Sequence, residues 1–158
     1  MIKLPEPGMY RTTRPYPSRE QELPAGVLVF IGAHSETGMP FVVRPGANRN
    51  NRWYWGEPTV ALRALAWTET LTPLRPEGFY TLPEELAVGS SGRWLKGAIV
   101  QLGYDGGGRG ILFVGEQHEE EPRNVLVFAE RGVAVEDALI ERLIRAPILF
   151  TNPPSGSH

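Results

Sequence analysis

The chain has 158 residues, 41% of them hydrophobic, a formal net charge of −2 and no cysteine. The missing thiol excludes a disulfide scaffold, a thiolate metal site and a cysteine nucleophile. The slightly acidic balance offers no bulk attraction to a polyanion, so nucleic acid is not expected as the main partner.

Eighteen glycines and fifteen prolines are spread between short apolar runs, a pattern of many short strands joined by tight turns. The opening stretch MIKLPEPGMY carries two prolines and lacks the apolar core of a secretory leader. Runs such as Val27 to Ile31 are too short to span a bilayer. The expectation is a protein without membrane association, cytoplasmic or particle-associated.

In chain order, Gly8-Met9-Tyr10 reads as a first strand. Residues 12–23, proline-bearing and charged, read as a surface loop or an arm that orders on a neighbouring subunit, rather than as core. The apolar run 26–32, the polar turn 33–38 and Phe41-Val42-Val43 form a hairpin pattern. Asn50-Asn51-Arg52-Trp53-Tyr54-Trp55 follows, then Val60-Ala61-Leu62. In residues 63–71, Leu65 and Trp67 alternate as in a strand. LTPLRP, 71–76, reads as a junction.

Beyond it the pattern recurs. Gly78-Phe79-Tyr80 matches Gly8-Met9-Tyr10, and residues 97–103 match 26–32. Ile111-Leu112-Phe113-Val114 matches the run at 41–43, residues 124–130 match 51–57, and Val133-Ala134-Val135 matches Val60-Ala61-Leu62. The step is 70 residues at Gly8/Gly78 and 73 at Val60/Val133. The fold expected is mainly β: two tandem small SH3-like barrel or sandwich repeats packed together, 1–74 and 75–158. A domain of some 70 residues is marginal alone, which favours packing of the two. A helix is expected over 135–145, with Val135, Leu139 and Leu143 on one face and Pro147 beyond its end. A polar tail, 151–158, closes the chain.

The repeat bears on the aromatic stretch. Trp53 and Trp55 align with Leu126 and Phe128, and alternate residues of a strand share a face. If Leu126 and Phe128 are core, both tryptophans face inward while Arg52 and Tyr54 face outward. Arg44, Arg49, Arg52 and Tyr54 are then the candidate interaction surface, with Arg63 near in sequence.

Asp105-Gly106-Gly107-Gly108-Arg109-Gly110 is followed by a strand pattern rather than a helix, so it reads as a hairpin turn, not a phosphate loop. His118 and Glu119 to Glu121 lack the spaced, converging ligands of a metal site. His34 and His118 fall in loops and His158 is terminal; neither a G-x-S-x-G elbow nor an H-E-x-x-H pair is present. No catalytic residue, metal or cofactor is assigned. The expected function is a non-enzymatic protein-interaction or assembly module, self-associating or recruited, such as a structural component of a phage-like or other multiprotein particle. The alternatives are a small-barrel nucleic-acid binder and a ligand binder or enzyme using the groove between repeats.

Overall fold

The computed structural model describes residues 3–117 and 125–148. The first half runs β1 (Gly8–Arg11), β2 (Leu28–Ala33), β3 (Pro40–Val43), β4 (Pro45–Arg49), β5 (Arg52–Trp55), β6 (Val60–Ala61), the one-turn helix α1 (Leu65–Thr68) and β7 (Thr72–Pro73). The second runs β8 (Gly78–Thr81), β9 (Leu86–Val88), β10 (Gly92–Trp94), β11 (Ile99–Tyr104), β12 (Gly110–Glu116), β13 (Val127–Phe128), β14 (Val133–Ala134), α2 (Asp137–Arg142) and β15 (Ile144–Arg145). The protein is mainly β with a short helix near its C-terminal end.

Two main sheets carry the fold. One has the order β6-β3-β2-β1-β7; the other is β13-β12-β11-β8-β15, with β14 also paired to β12. The pairing registers correspond residue for residue. Tyr10 lies opposite Val29 in the first sheet and Tyr80 opposite Val100 in the second. Val42 lies opposite Ile31 and Val60; Leu112 lies opposite Leu102 and Val133. Pro45 opposite Trp55 has its counterpart in Gly115 opposite Phe128. The closing strands agree too, with Pro73 beside Tyr10 and Arg145 beside Tyr80.

Closed barrels are not formed. Among the described residues, β6 and β7 end the first sheet without pairing to each other, and β15 meets neither β13 nor β14. The strands at these ends are two residues long, too short to carry pairing round a closed wall.

Two apolar clusters lie against the sheets. The first gathers Tyr16, Leu23, Val29, Ile31, Val42, Leu62 and Trp67. The second gathers Tyr80, Leu82, Val100, Leu102, Tyr104, Leu112, Ile140 and Leu143, and it also takes Leu28 from β2. Strand β2 is therefore buried on both faces: Val29 and Ile31 point to the first cluster, Leu28 to the second. Burying each such side chain contributes about 1.5–3 kcal/mol.

Several expectations are corrected. The helix spans six residues rather than 135–145, because Leu143 turns extended (ψ 142°) and Ile144–Arg145 pair instead with Thr81 and Tyr80 of β8. The strand-like alternation at Leu65 and Trp67 gives way to a helical turn that buries Trp67. The supposed arm is a surface loop pinned to the chain's own core: Leu23 and Tyr16 are buried, the Tyr16 hydroxyl accepts the backbone N–H groups of Arg63 and Ala64, and its ring meets Trp67 edge-on at 4.9 Å. Leu126, expected in the core, is 50% exposed. The tail 151–158 and the His118–Glu121 stretch lie outside the described residues.

Candidate interaction surface

The aromatic stretch is the outgoing arm of a hairpin. Asn50 and Asn51 turn it with φ of 52° and 64°. Both lie in the left-handed region that a two-residue hairpin turn requires and that asparagine tolerates. Alternation then sends Trp53 and Trp55 inward, half-buried against the second cluster, and Arg52 and Tyr54 outward. The indole Nε1–H of Trp53 donates to the Tyr104 carbonyl at 2.7 Å. The Trp53 backbone N–H donates to the Glu77 carboxylate at 3.1 Å. At the tip, Asn51 Nδ2 donates to Gln101 Oε1, and Gln101 Nε2 donates back to the Asn50 carbonyl, both at 2.9 Å.

The β4–β5 hairpin is thus a strap from the first half onto β11 of the second. Gly103 permits this approach, since a Cβ there would stand 3.2 Å from the Asn51 carbonyl oxygen. The strap is reinforced from β1 and β2. Leu28 N–H donates to the Gly106 carbonyl at 2.9 Å, and Arg11 Nη1 to that of Gly108 at 3.2 Å. The Arg11 guanidinium also spans both oxygens of Asp137, holding that carboxyl below its ordinary range. Burial pushes Glu77 the other way, upward, against the opposing pull of the Trp53 N–H and the Arg52 charge.

Three of the four candidate residues meet on the solvent face of the strap. Tyr54 is 49% exposed, and the Arg49 and Arg52 guanidinium carbons stand 5.7 and 5.8 Å from its ring centroid. Arg49 and Arg52 are directly paired across the two strands. Arg44 is not with them. Its Nη1 donates to the Glu22 carbonyl at 3.0 Å, which turns its side chain toward the loop after β1.

The groove between the halves is a cleft of about 310 Å³ lined by Asn48, Asn51, Trp53, Asp105, Ile111 and Phe113 among others. Asp105 Oδ1 already accepts the N–H groups of Gly107 and Arg109, at 2.9 Å each, fixing the glycine turn as a hairpin. The turn needs a left-handed residue only at Gly108, φ 78°.

A second surface was not legible in the sequence. On the outer face of the second sheet, cross-strand neighbours place Ile144, Thr81 and Ile99 in one row. Carried one step past Val100–Val114, the register brings Gly115, and with it Phe128, into the same row. Leu126 leans over Gly115. Ile99 is 41% exposed and Ile144 57%. The row holds no ionisable side chain; it can bury apolar area but cannot move a proton. Alternation marked the run at Ile99 as apolar, yet gave no sign of which face remained uncovered.

No protein-family profile, curated protein or solved structure was found to match the chain. Functional inference therefore rests on these residues.

Proposed function

We propose that the protein is a non-enzymatic protein-interaction and assembly module built from two SH3-like units, the second of which offers its outer sheet face to a protein partner. The matched strand order and registers of the two halves support the reading of two like units. The observation that carries the function is the gathering of Ile99, Leu126 and Ile144, all exposed, on one sheet face. Single exposed apolar residues are ordinary; a contiguous group marks a contact site. The test is affinity capture from host extract with the wild-type chain and with Ile99→Lys, quantified protein by protein. Loss of specific partners from the variant is expected; identical captured sets would defeat the reading.

Tyr54 between Arg49 and Arg52 favours a second reading, single-stranded nucleic acid stacked on the ring and held by the guanidinium groups. Binding that steepens as salt is lowered, and vanishes in Tyr54→Ala, would favour it over the first.

A further inference from the structure

Ile99, Gln101 and Gly103 alternate onto one face of β11, and on β12 Phe113 lies opposite Gln101 and Ile111 opposite Gly103. The Asn50–Asn51 tip of the strap rests on the far end of this face, bonded to Gln101 and seated over Gly103. Between strap and sheet lies the cleft of about 310 Å³, at the lower end of small-ligand sites. Ile111 and Phe113 line it from β12, Asn48, Asn51 and Trp53 from the strap, and Asp105 from the glycine turn. Gly132 lets the chain ahead of β14 close onto Ile111 and Phe113, where any side chain would strike both.

The hydrogen-bonding groups of this cleft are unequal. Asn51 spends its Nδ2 on Gln101, which leaves its Oδ1 to accept. Asp105 spends Oδ1 on the N–H groups of Gly107 and Arg109, and its Oδ2 has no hydrogen bond among the described residues. The exposed Asn48 amide can turn to offer an acceptor or a donor. Asp105 is the one formal charge in the lining. Arg11, whose field reaches that carboxylate, is itself bound to Asp137 and the Gly108 carbonyl.

We propose that the cleft binds an alkylammonium group, carried by a free amine or by the lysine side chain of a protein. The inference goes beyond the interaction-module reading and does not rest on it. Other ligand classes fit less well. A phosphate or carboxylate would meet Asp105 with no cation in the lining to hold it. A neutral apolar ligand would cover the Asp105 and Asn51 oxygens and leave them unpaired. A sugar brings acceptors as well as donors, and only Asn48 could serve the acceptors. An ammonium brings three donors and no acceptor. Asp105 Oδ2, Asn51 Oδ1 and Asn48 Oδ1 can take one each, and the charge strengthens the bond to the carboxylate. The methylene stem then lies along Ile111, Phe113 and Trp53, as lysine stems lie on apolar surface.

The experiment is an NMR titration of the isotope-labelled full chain at constant ionic strength. It is read at the Trp53 indole N–H, which bonds the Tyr104 carbonyl beside the cleft and is assigned by its loss in Trp53→Phe. The probes are n-butylammonium and a blocked Gly-Gly-Lys-Gly-Gly peptide. The controls are n-butanol, tetramethylammonium and the same peptide with norleucine. n-Butylammonium is expected to bind with a dissociation constant of about 1–10 mM, and the controls at least about tenfold more weakly. Asp105→Asn keeps a carbonyl for the Gly107 and Arg109 N–H groups while removing the charge, and is expected to weaken n-butylammonium by at least about tenfold. Asn48→Asp, on the exposed strap, adds a carboxylate and is expected to tighten it severalfold. Circular dichroism checks that each variant is folded, and Asn48→Asp carries the test if Asp105→Asn is not. No saturable shift with either ammonium probe overturns the proposal. So does an equal response to n-butanol, indifference to Asp105→Asn, or no tightening in Asn48→Asp. Tighter binding of the lysine peptide than of n-butylammonium identifies a protein side chain as the source, and the reverse a free amine. None of these outcomes bears on capture through Ile99, so the two readings fail separately.

Discussion

Leu28 and Ile99 hold the same register position in two sheets of the same strand order, yet Leu28 is 0% exposed and Ile99 41%. Their substitution should therefore separate sharply. Leu28→Ala opens a cavity at the seam between the halves and is expected to cost about 2–5 kcal/mol. Ile99→Ala is expected to cost the monomer less than about 1.5 kcal/mol, most of that from lost strand propensity. Urea unfolding at low protein concentration measures both.

The strap is expected to depend on one indole hydrogen. Trp53→Phe keeps an inward aromatic ring but leaves the Tyr104 carbonyl without the 2.7 Å donor it has in the wild type. A loss of roughly 1–3 kcal/mol is expected for a buried acceptor so orphaned. Hydrogen exchange should quicken first at the Trp53 amide, the group that bonds Glu77. Unchanged stability and exchange would show that the strap is held by packing alone.

Two carboxyls at the seam should respond to pH in opposite senses. Asp137 is lowered from its ordinary 3.8 by the hydrogen bonds from Arg11. Its stabilisation is complete above that value and lost as pH falls through the lower folded value. Glu77 is raised from its ordinary 4.5, chiefly by burial. The folded state thus favours its protonated form, and its contribution is present below 4.5 and lost as pH rises through the raised folded value. Asp137→Asn should lower stability at pH 7 and weaken the decline toward acid. Glu77→Gln should leave stability at pH 7 equal or higher and reduce the loss as pH rises from 4.5 through the raised folded value. Unfolding free energies measured from well below pH 3.8 up to about pH 7 check both signs.

The two hairpin turns offer a matched glycine pair. Gly38 and Gly108 both have positive φ, 71° and 78°. A Cβ at Gly38 meets open space, whereas at Gly108 it would lie 3.0 Å from the Cβ and Cγ of Arg11. Gly38→Ala is expected to cost about 1–2 kcal/mol for the left-handed backbone alone. Gly108→Ala should cost more, and in addition loosen Arg11 from the Gly108 carbonyl and Asp137. Thermal unfolding of the two variants and of Asp137→Asn in the Gly108→Ala background would show that coupling as non-additivity.

The repeating order of apolar runs and turns was written in local sequence, because alternation and turn residues act over a few positions. That pattern sufficed for a mainly β chain, for Tyr54 outward on its strand, and for the glycines at 106–108 as turn rather than phosphate loop; the hairpin turn at Asn50-Asn51 was not read from it. What the halves do to each other was not local. The inward tryptophans and outward Leu126 share one strand position pattern, but only the second half's packing surface, present on one side and missing on the other, separates them. Likewise Ile144 and Arg145 continued a helical period until the free edge of β8 offered strand pairing instead. Residues 12–23 looked polar enough for an arm, and Tyr16 and Leu23 became core because a folded sheet stood ready to receive them. Burial is a property of what arrives from elsewhere in the chain, so the covered face, the uncovered face and the strap between them were decided by tertiary structure alone.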